Sequence, residues 1–234
     1  MRDPSGLLAA LGSVRDPELD EPVTTLGFVA SCRLSDDGVA QVRLRLPTYF
    51  CAPNFAFLMV ADAYDAVSKV DGVIRAEVVL EDHFASGPIN RGVAARAGFR
   101  EVFDGEAVGE LGELRADFLR KAVLAGTDRV CRPLLAGGRA IEELATMVLG
   151  EVPASADLDR LRSRRAELGL PAGDDAPLLI EPSTGEPIQL GALPRHLGRA
   201  RLTRVSLEAN GATCRDLFAV RYRSDQSARE AAVD

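Results

Sequence analysis

The sequence predicts an α+β protein: a small two-layer N-terminal domain ordered α-β-β-α-β, a helical middle section and a short β-rich C-terminal section. Three observations carry this expectation. Residues 28–34 and 39–46 alternate apolar and polar on either side of Asp36-Asp37-Gly38, the pattern of half-buried strands joined by a tight turn. Phe55, Met59, Ala63, Ala66, Val67 and Val70 then recur at helical spacing, before Ile74 to Glu81 returns to a period of two. From about Glu106 the period is helical again, and Asn210-Gly211 between two apolar runs is a hairpin signal near the C-terminus. The expected boundaries are 1–85 for the first domain, 86–172 for the helical section, 173–224 for the β-rich section and 225–234 for a flexible tail.

Taken in order, Asp3-Pro4 is a helix start, and Leu7, Leu8, Leu11 and Val14 form one apolar face. The helix ends before Asp16-Pro17, because the residue before a proline is pushed out of the helical region. Phe28, Ala30, Cys32 and Leu34 share a strand face, which makes Cys32 a core residue. Asp71-Gly72 closes the helix after the second strand. Ser86-Gly87-Pro88 breaks the pattern. In the middle section Leu111, Leu114, Phe118 and Ala122 share a face, Gly137-Gly138 ends that helix, and Ile141, Leu144, Ala145, Val148 and Leu149 begin another. Leu158, Leu161 and Leu168 mark a third, whose Arg160, Arg162, Arg164 and Arg165 are expected on a solvated face. Residues 202–208 and 214–222 are expected as strands, with Cys214 a structural residue of the last hairpin.

Composition narrows the function. Hydrophobic residues at 47% and charged residues at 27% are the mix of a globular protein in water. A net charge of -7 argues against a nucleic-acid surface, which needs clustered Lys and Arg. No apolar run reaches the length of a bilayer span, and Met1-Arg2-Asp3-Pro4 is unlike a secretory signal, so the expected location is the cytoplasm, with no membrane partner. The four cysteines, Cys32, Cys51, Cys131 and Cys214, lie far apart with no CxxC pair. They are expected as free thiols. With only His83 and His196 in the chain, a histidine-rich metal site is excluded within one copy.

The chemistry concentrates in Thr48-Tyr49-Phe50-Cys51-Ala52-Pro53, where strand becomes helix. Cys51 falls just before a helix N-terminus, whose unpaired N–H groups and dipole favour a thiolate that serves as nucleophile or metal ligand. The alternative is a small apolar residue in a tight loop. Asp16-Pro17-Glu18 places two carboxylates in a loop, a triplet common in turns and caps. His83, at the end of the third strand, either points towards the Cys51 turn or is a solvated or hydrogen-bonded loop histidine.

The first 85 residues resemble the metal–sulfur cluster assembly family, which includes the cytosolic iron–sulfur targeting component of eukaryotes and the SufT-like and PaaD-like bacterial proteins. The match rests on Asp16-Pro17-Glu18 after a short helix, Leu26-Gly27 before the first strand, Asp37-Gly38 in the hairpin, Thr48 three residues before Cys51, and Asp71-Gly72-Val73 before the last strand. The family's Thr-x-Gly-Cys-Pro is altered here: Phe50 replaces the glycine, and the proline comes one residue late at Pro53. Asp82-His83-Phe84 and Pro88-Ile89-Asn90 followed by helices resemble the longer forms associated with soluble diiron monooxygenases.

The resemblance implies an accessory protein, not an enzyme, that matures a client metalloenzyme such as a diiron monooxygenase. Cys51, with Thr48 beside it, would hold iron or an iron–sulfur cluster transiently, with Asp16, Glu18 and His83 as further ligands. A cluster normally takes four thiolates, so one turn cysteine must share it across a homodimer or with the client. Two other readings stand beside this one: a metal-free, chaperone-like interaction module, and a thiol enzyme with His83 as the base for Cys51.

Overall fold

The computed structural model describes residues 3–104 and 111–223. They form two compact units, one from the described residues of 1–111 and 210–234, the other from 112–209. The α+β class holds.

In the first unit, α1 (Ser5–Leu11) follows Asp3, whose carboxylate accepts the Ser5 N–H at 2.9 Å, and buries Leu7 and Leu11. A two-residue antiparallel pair, β1 (Arg15–Asp16) with β2 (Glu21–Pro22), then frames the Asp16 loop. The main sheet has the order β3 (Val29–Leu34), β4 (Val39–Arg45), β5 (Arg75–Glu81). The β3–β4 pair is antiparallel and the β4–β5 pair parallel. The parallel pair needs a crossover, and α2 (Pro53–Val67) supplies it.

Register makes the sheet two-sided. Ala40, Val42 and Leu44 lie opposite Ala76, Val78 and Leu80, and all six are buried. The intervening positions carry Gln41 with Glu77 and Arg43 and Arg45 with Glu81, hydrogen-bonded across the strands on the other face. The apolar face packs beneath α1, α2 and α3 (Ser86–Ala94), with Phe28, Met59, Val60 and Ile89 in the core. Gly38 turns the β3–β4 hairpin at φ +81°, and a Cβ there would lie 2.9 Å from the Gly72 carbonyl oxygen, so both conformation and space require glycine. The break at Ser86-Gly87-Pro88 is thus a helix start. On α3, Asn90 bonds both the N–H and the C=O of Leu80, at 2.8 and 3.0 Å, completing the end of β5. A short α4 (Phe99–Val102) follows, with Phe99 edge-on to Phe57.

The second unit is helical. α5 (Gly112–Ala136) packs on α7 (Ala156–Glu167), with α6 (Ile141–Thr146) between them in sequence. Val123, Val130, Leu144, Leu149, Leu158, Leu161, Leu178 and Leu193 are among its core residues. The arginine face of α7 departs from expectation. Arg165 is fully buried, donating to the carbonyls of Pro177 and Leu178 at 2.8 and 2.6 Å, and Arg164 is buried beside Glu167. Arg162 donates to the Ala172 carbonyl and the Asp174 carboxylate. Arg162 and Arg165 therefore hold residues 172–178, and Arg164 and Arg165 do not face solvent. Burial pulls the Arg165 guanidinium down to about 10, still charged at neutral pH.

The expected β-rich C-terminal section is largely helix. Its strand-like features among the described residues are isolated bridges, Val148 with Pro177 and Ile180 with Pro187. α8 (Leu193–Arg221) runs through both intended strands and through Asn210-Gly211. The reason is periodicity. Ala200, Leu207, Gly211, Phe218 and Tyr222 are buried at steps of four and seven, which is one helical stripe. Leu202, Val205, Leu217 and Val220, which complete the apparent alternation, are exposed. The expected flexible tail, 225–234, lies outside the described residues.

Candidate functional site

The β4–α2 turn carries Cys51. Leu46 is buried at the end of the sheet, and Pro53 at the first helical position starts α2 two residues after Cys51. The Ala52 carbonyl receives the Phe55 and Ala56 N–H groups. Cys51 is partly exposed. Thr48 Oγ1 lies 3.3 Å from its sulfur, within hydrogen-bonding reach.

His83 meets Cys51 through the backbone. Its Nε2 lies 2.7 Å from the Cys51 carbonyl oxygen, and its Nδ1 accepts the Ala85 N–H at 3.1 Å. Nδ1 as acceptor leaves the proton on Nε2, which then donates to Cys51. Burial holds the imidazole below its ordinary pKa, against the hydrogen bond to Cys51 and with the Arg221 charge, so the ring is neutral at pH 7. Both nitrogens are occupied, and neither addresses the sulfur. The ring fixes the turn's shape, and a Cys51–His83 nucleophile–base pair is not assembled.

Asp16 is buried. Its Oδ1 accepts the Glu18 and Leu19 N–H groups, both at 2.9 Å, and so closes the loop on itself. Burial outweighs those bonds and pushes the carboxyl up to about 6. Glu18 is partly exposed, with Asn210 Nδ2 at 3.5 Å from its Oε1.

Sequence reasoning missed the element that joins these groups. The C-terminal part of α8 belongs to the first unit. Arg215 pairs with Glu21 at 2.6 Å, Phe218 packs on Phe28 at 5.5 Å between centroids, and Arg221 donates to the Leu46 and Asp82 carbonyls. Cys214 lies on this segment, half-buried. Burial, with the charges of Asp16, Cys51 and Glu18, raises its thiol to about 11. The signal for this segment was the helical stripe of Gly211, Phe218 and Tyr222.

The site has an aromatic rim. Phe50 is 77% exposed, and Tyr49 and Phe84 are each 48% exposed. Their rings meet at 5.0 Å for Tyr49–Phe50 and 5.9 Å for Phe50–Phe84. The Phe84 N–H donates to the Tyr49 carbonyl, tying the rim's two halves together.

Among the described residues, no three His, Cys, Asp or Glu side chains are gathered closely enough to hold a metal ion. No helix among them is long and apolar enough to cross a membrane.

A relative in Methanocaldococcus jannaschii, itself an uncharacterized protein, is 29% identical over 84 residues, covering 36% of this chain and 86% of the relative. No solved structure matches the chain. The segment 5–78, which contains Asp16, Glu18, Thr48 and Cys51 but neither His83 nor Cys214, matches the family described as iron–sulfur cluster assembly protein, a family of assembly factors.

Proposed function

We propose that this protein is an accessory factor that carries iron or an iron–sulfur cluster to a client enzyme, with Cys51 as the transient thiolate ligand. The observation that carries the reading is Cys51 itself. It is partly exposed in a turn pinned by Thr48 and His83, inside the segment that matches the iron–sulfur cluster assembly family. The donor type suits the cargo: iron accepts thiolate, which Cys51 supplies, and the remaining ligands come from the client or a second copy. The set is incomplete, which suits a carrier that must let go more than a store. His83 acts here as a positioning residue, because its two nitrogens are spent on the backbone.

The rim of Tyr49, Phe50 and Phe84 is where the client docks. Exposed aromatic clusters are common anchors of protein interfaces, and this one borders the sulfur to be relieved of its cargo. A soluble diiron monooxygenase is the client class that the sequence resemblance suggests. The same rim favours a second reading, a docking module that holds no metal.

A native-host experiment separates the two. The client is captured with the wild-type chain, identified by mass, and assayed for metal content in cells carrying Cys51→Ser. A carrier leaves the client bound but metal-poor in the variant. A metal-free module leaves the client fully loaded, which would overturn the proposal.

A further inference from the structure

Beyond the ends of β4 and β5, two backbone segments, 46–51 and 82–85, continue beside one another. At their far end they are tied by His83 Nε2 to the Cys51 carbonyl and by the Phe84 N–H to the Tyr49 carbonyl. At their root the tie is Arg221, from the last turn of α8. Its Nη1 donates to the Leu46 carbonyl at 3.1 Å and its Nη2 to the Asp82 carbonyl at 2.5 Å. Each carbonyl belongs to the first residue past its strand. Asp82 has φ +51°, a left-handed conformation that few side chains adopt, so the chain enters His83 through a residue whose shape must be held. Arg221 is itself held. It is half-buried, and its guanidinium lies over the Tyr222 ring at 5.1 Å from the centroid. Tyr222 is buried, packs on Phe218 at 4.7 Å and takes the Arg45 guanidinium at 5.1 Å as well. Two nitrogens of one planar fork on two carbonyls fix the spacing of the two segments, which a single ammonium cannot do.

We propose that Arg221 is a positioning residue for the cargo thiol. By setting the spacing of the two segments at their root, it sets where His83 meets the Cys51 carbonyl, and so the turn from which the sulfur is presented. This rests on the reading of Cys51 as a metal ligand and adds to it a residue that does not touch the cargo. Groups that orient a ligand matter to the metal: losing one typically costs about 10–100-fold in affinity. Arg221 acts one step further out, through the main chain, so the low end of that range is expected. Residue 221 also lies outside the segment 5–78, so the brace comes from beyond the domain that matches the assembly family.

The test compares Arg221→Met with Arg215→Met in the full-length chain. Both remove a guanidinium from the same helix, but Arg215 pairs with Glu21 on β2 and not with the two carbonyls at the root of the turn. The first readout is hydrogen exchange at the Phe84 and Ala85 amides, which bond the Tyr49 carbonyl and His83 Nδ1. Loss of two hydrogen bonds should speed both about tenfold in Arg221→Met, equivalent to about 1.4 kcal/mol of local opening. The second readout is cargo retention. After anaerobic reconstitution with ferrous iron and sulfide, a chelator should strip iron about tenfold faster from Arg221→Met than from the wild type. Arg215→Met should match the wild type in both. Either change without the other, or equal changes in Arg215→Met, would overturn this inference and leave the proposed function standing. A wild type that takes up no iron would overturn both. Should Arg221→Met fail to fold, Arg221→Lys keeps the charge and the stem but not the fork, and both rates should still rise at least about threefold. Wild-type rates in Arg221→Lys would then overturn the inference.

Discussion

Replacing Asp16 by Asn should stabilise the first unit, and only above a definite pH. The carboxyl is buried, and burial raises it from 3.8 to about 6. Below about pH 4 it is protonated in both folded and unfolded chains and costs nothing. Between about pH 4 and 6 the unfolded chain ionises while the folded one keeps its proton, so stability falls as pH rises. Above about 6 the folded chain also ionises, and the loss is complete. A shift of about two pKa units is about 3 kcal/mol, a large share of the 5–15 kcal/mol typical of a domain. Asn keeps an oxygen for the Glu18 and Leu19 N–H groups and carries no charge at any pH. Asp16→Asn should therefore equal the wild type within about 1 kcal/mol near pH 4 and exceed it by about 3 kcal/mol at pH 7. Urea unfolding read by tyrosine fluorescence measures this cleanly. The chain has no Trp, and Tyr49, Tyr64 and Tyr222 all lie in the first unit. A difference between the two proteins that stays constant from pH 4 to 8 would refute the buried-charge reasoning. The expected gain also says something about the site: a carboxylate is kept where a neutral side chain would fold better.

Other perturbations separate docking from folding. Phe50→Ala removes a ring that is 77% exposed, so unfolding free energy should move by no more than about 0.5 kcal/mol. Client capture from the native host should fall sharply, and undiminished capture would move the docking surface elsewhere. Arg165→Met keeps bulk and removes two donors, one from the half-buried Pro177 carbonyl and one from the buried Leu178 carbonyl, which should cost the second unit about 3 kcal/mol. Calorimetry would show it, and a cost under about 1 kcal/mol would mean that solvent or other donors replace the guanidinium.

What was legible followed from pattern length. The sheet of the first unit was readable because Val42, Leu44, Val78 and Leu80 alternate without interruption and Gly38 and Gly72 punctuate the turns. The strand-to-helix turn that carries Cys51 was readable because strand alternation stops at Leu46 and helical spacing starts at Phe55, with Pro53 at the first helical position between them. The fate of α8 was not. Asn210-Gly211 is a strong local hairpin signal, and nearby apolar residues imitate alternation. Burial of Ala200, Leu207, Phe218 and Tyr222 at helical steps outweighed that local preference. The same error hid the packing of Phe218 on Phe28 and the reach of Arg221 to the Leu46 and Asp82 carbonyls, because residues assigned to a hairpin have no reason to meet the first sheet. Arg165 was misread for a different reason. A run of arginines gives no hint which one finds two carbonyls in the interior.

The central claim is that Cys51 holds the cargo. Its most direct measurement is anaerobic reconstitution with ferrous iron and sulfide, followed by desalting, visible absorbance and iron per chain, on the wild type beside Cys51→Ser. The expected result is a coloured, iron-bearing wild type and a colourless variant whose circular dichroism is unchanged. Equal iron and equal absorbance in the two proteins, or none in either, would contradict it.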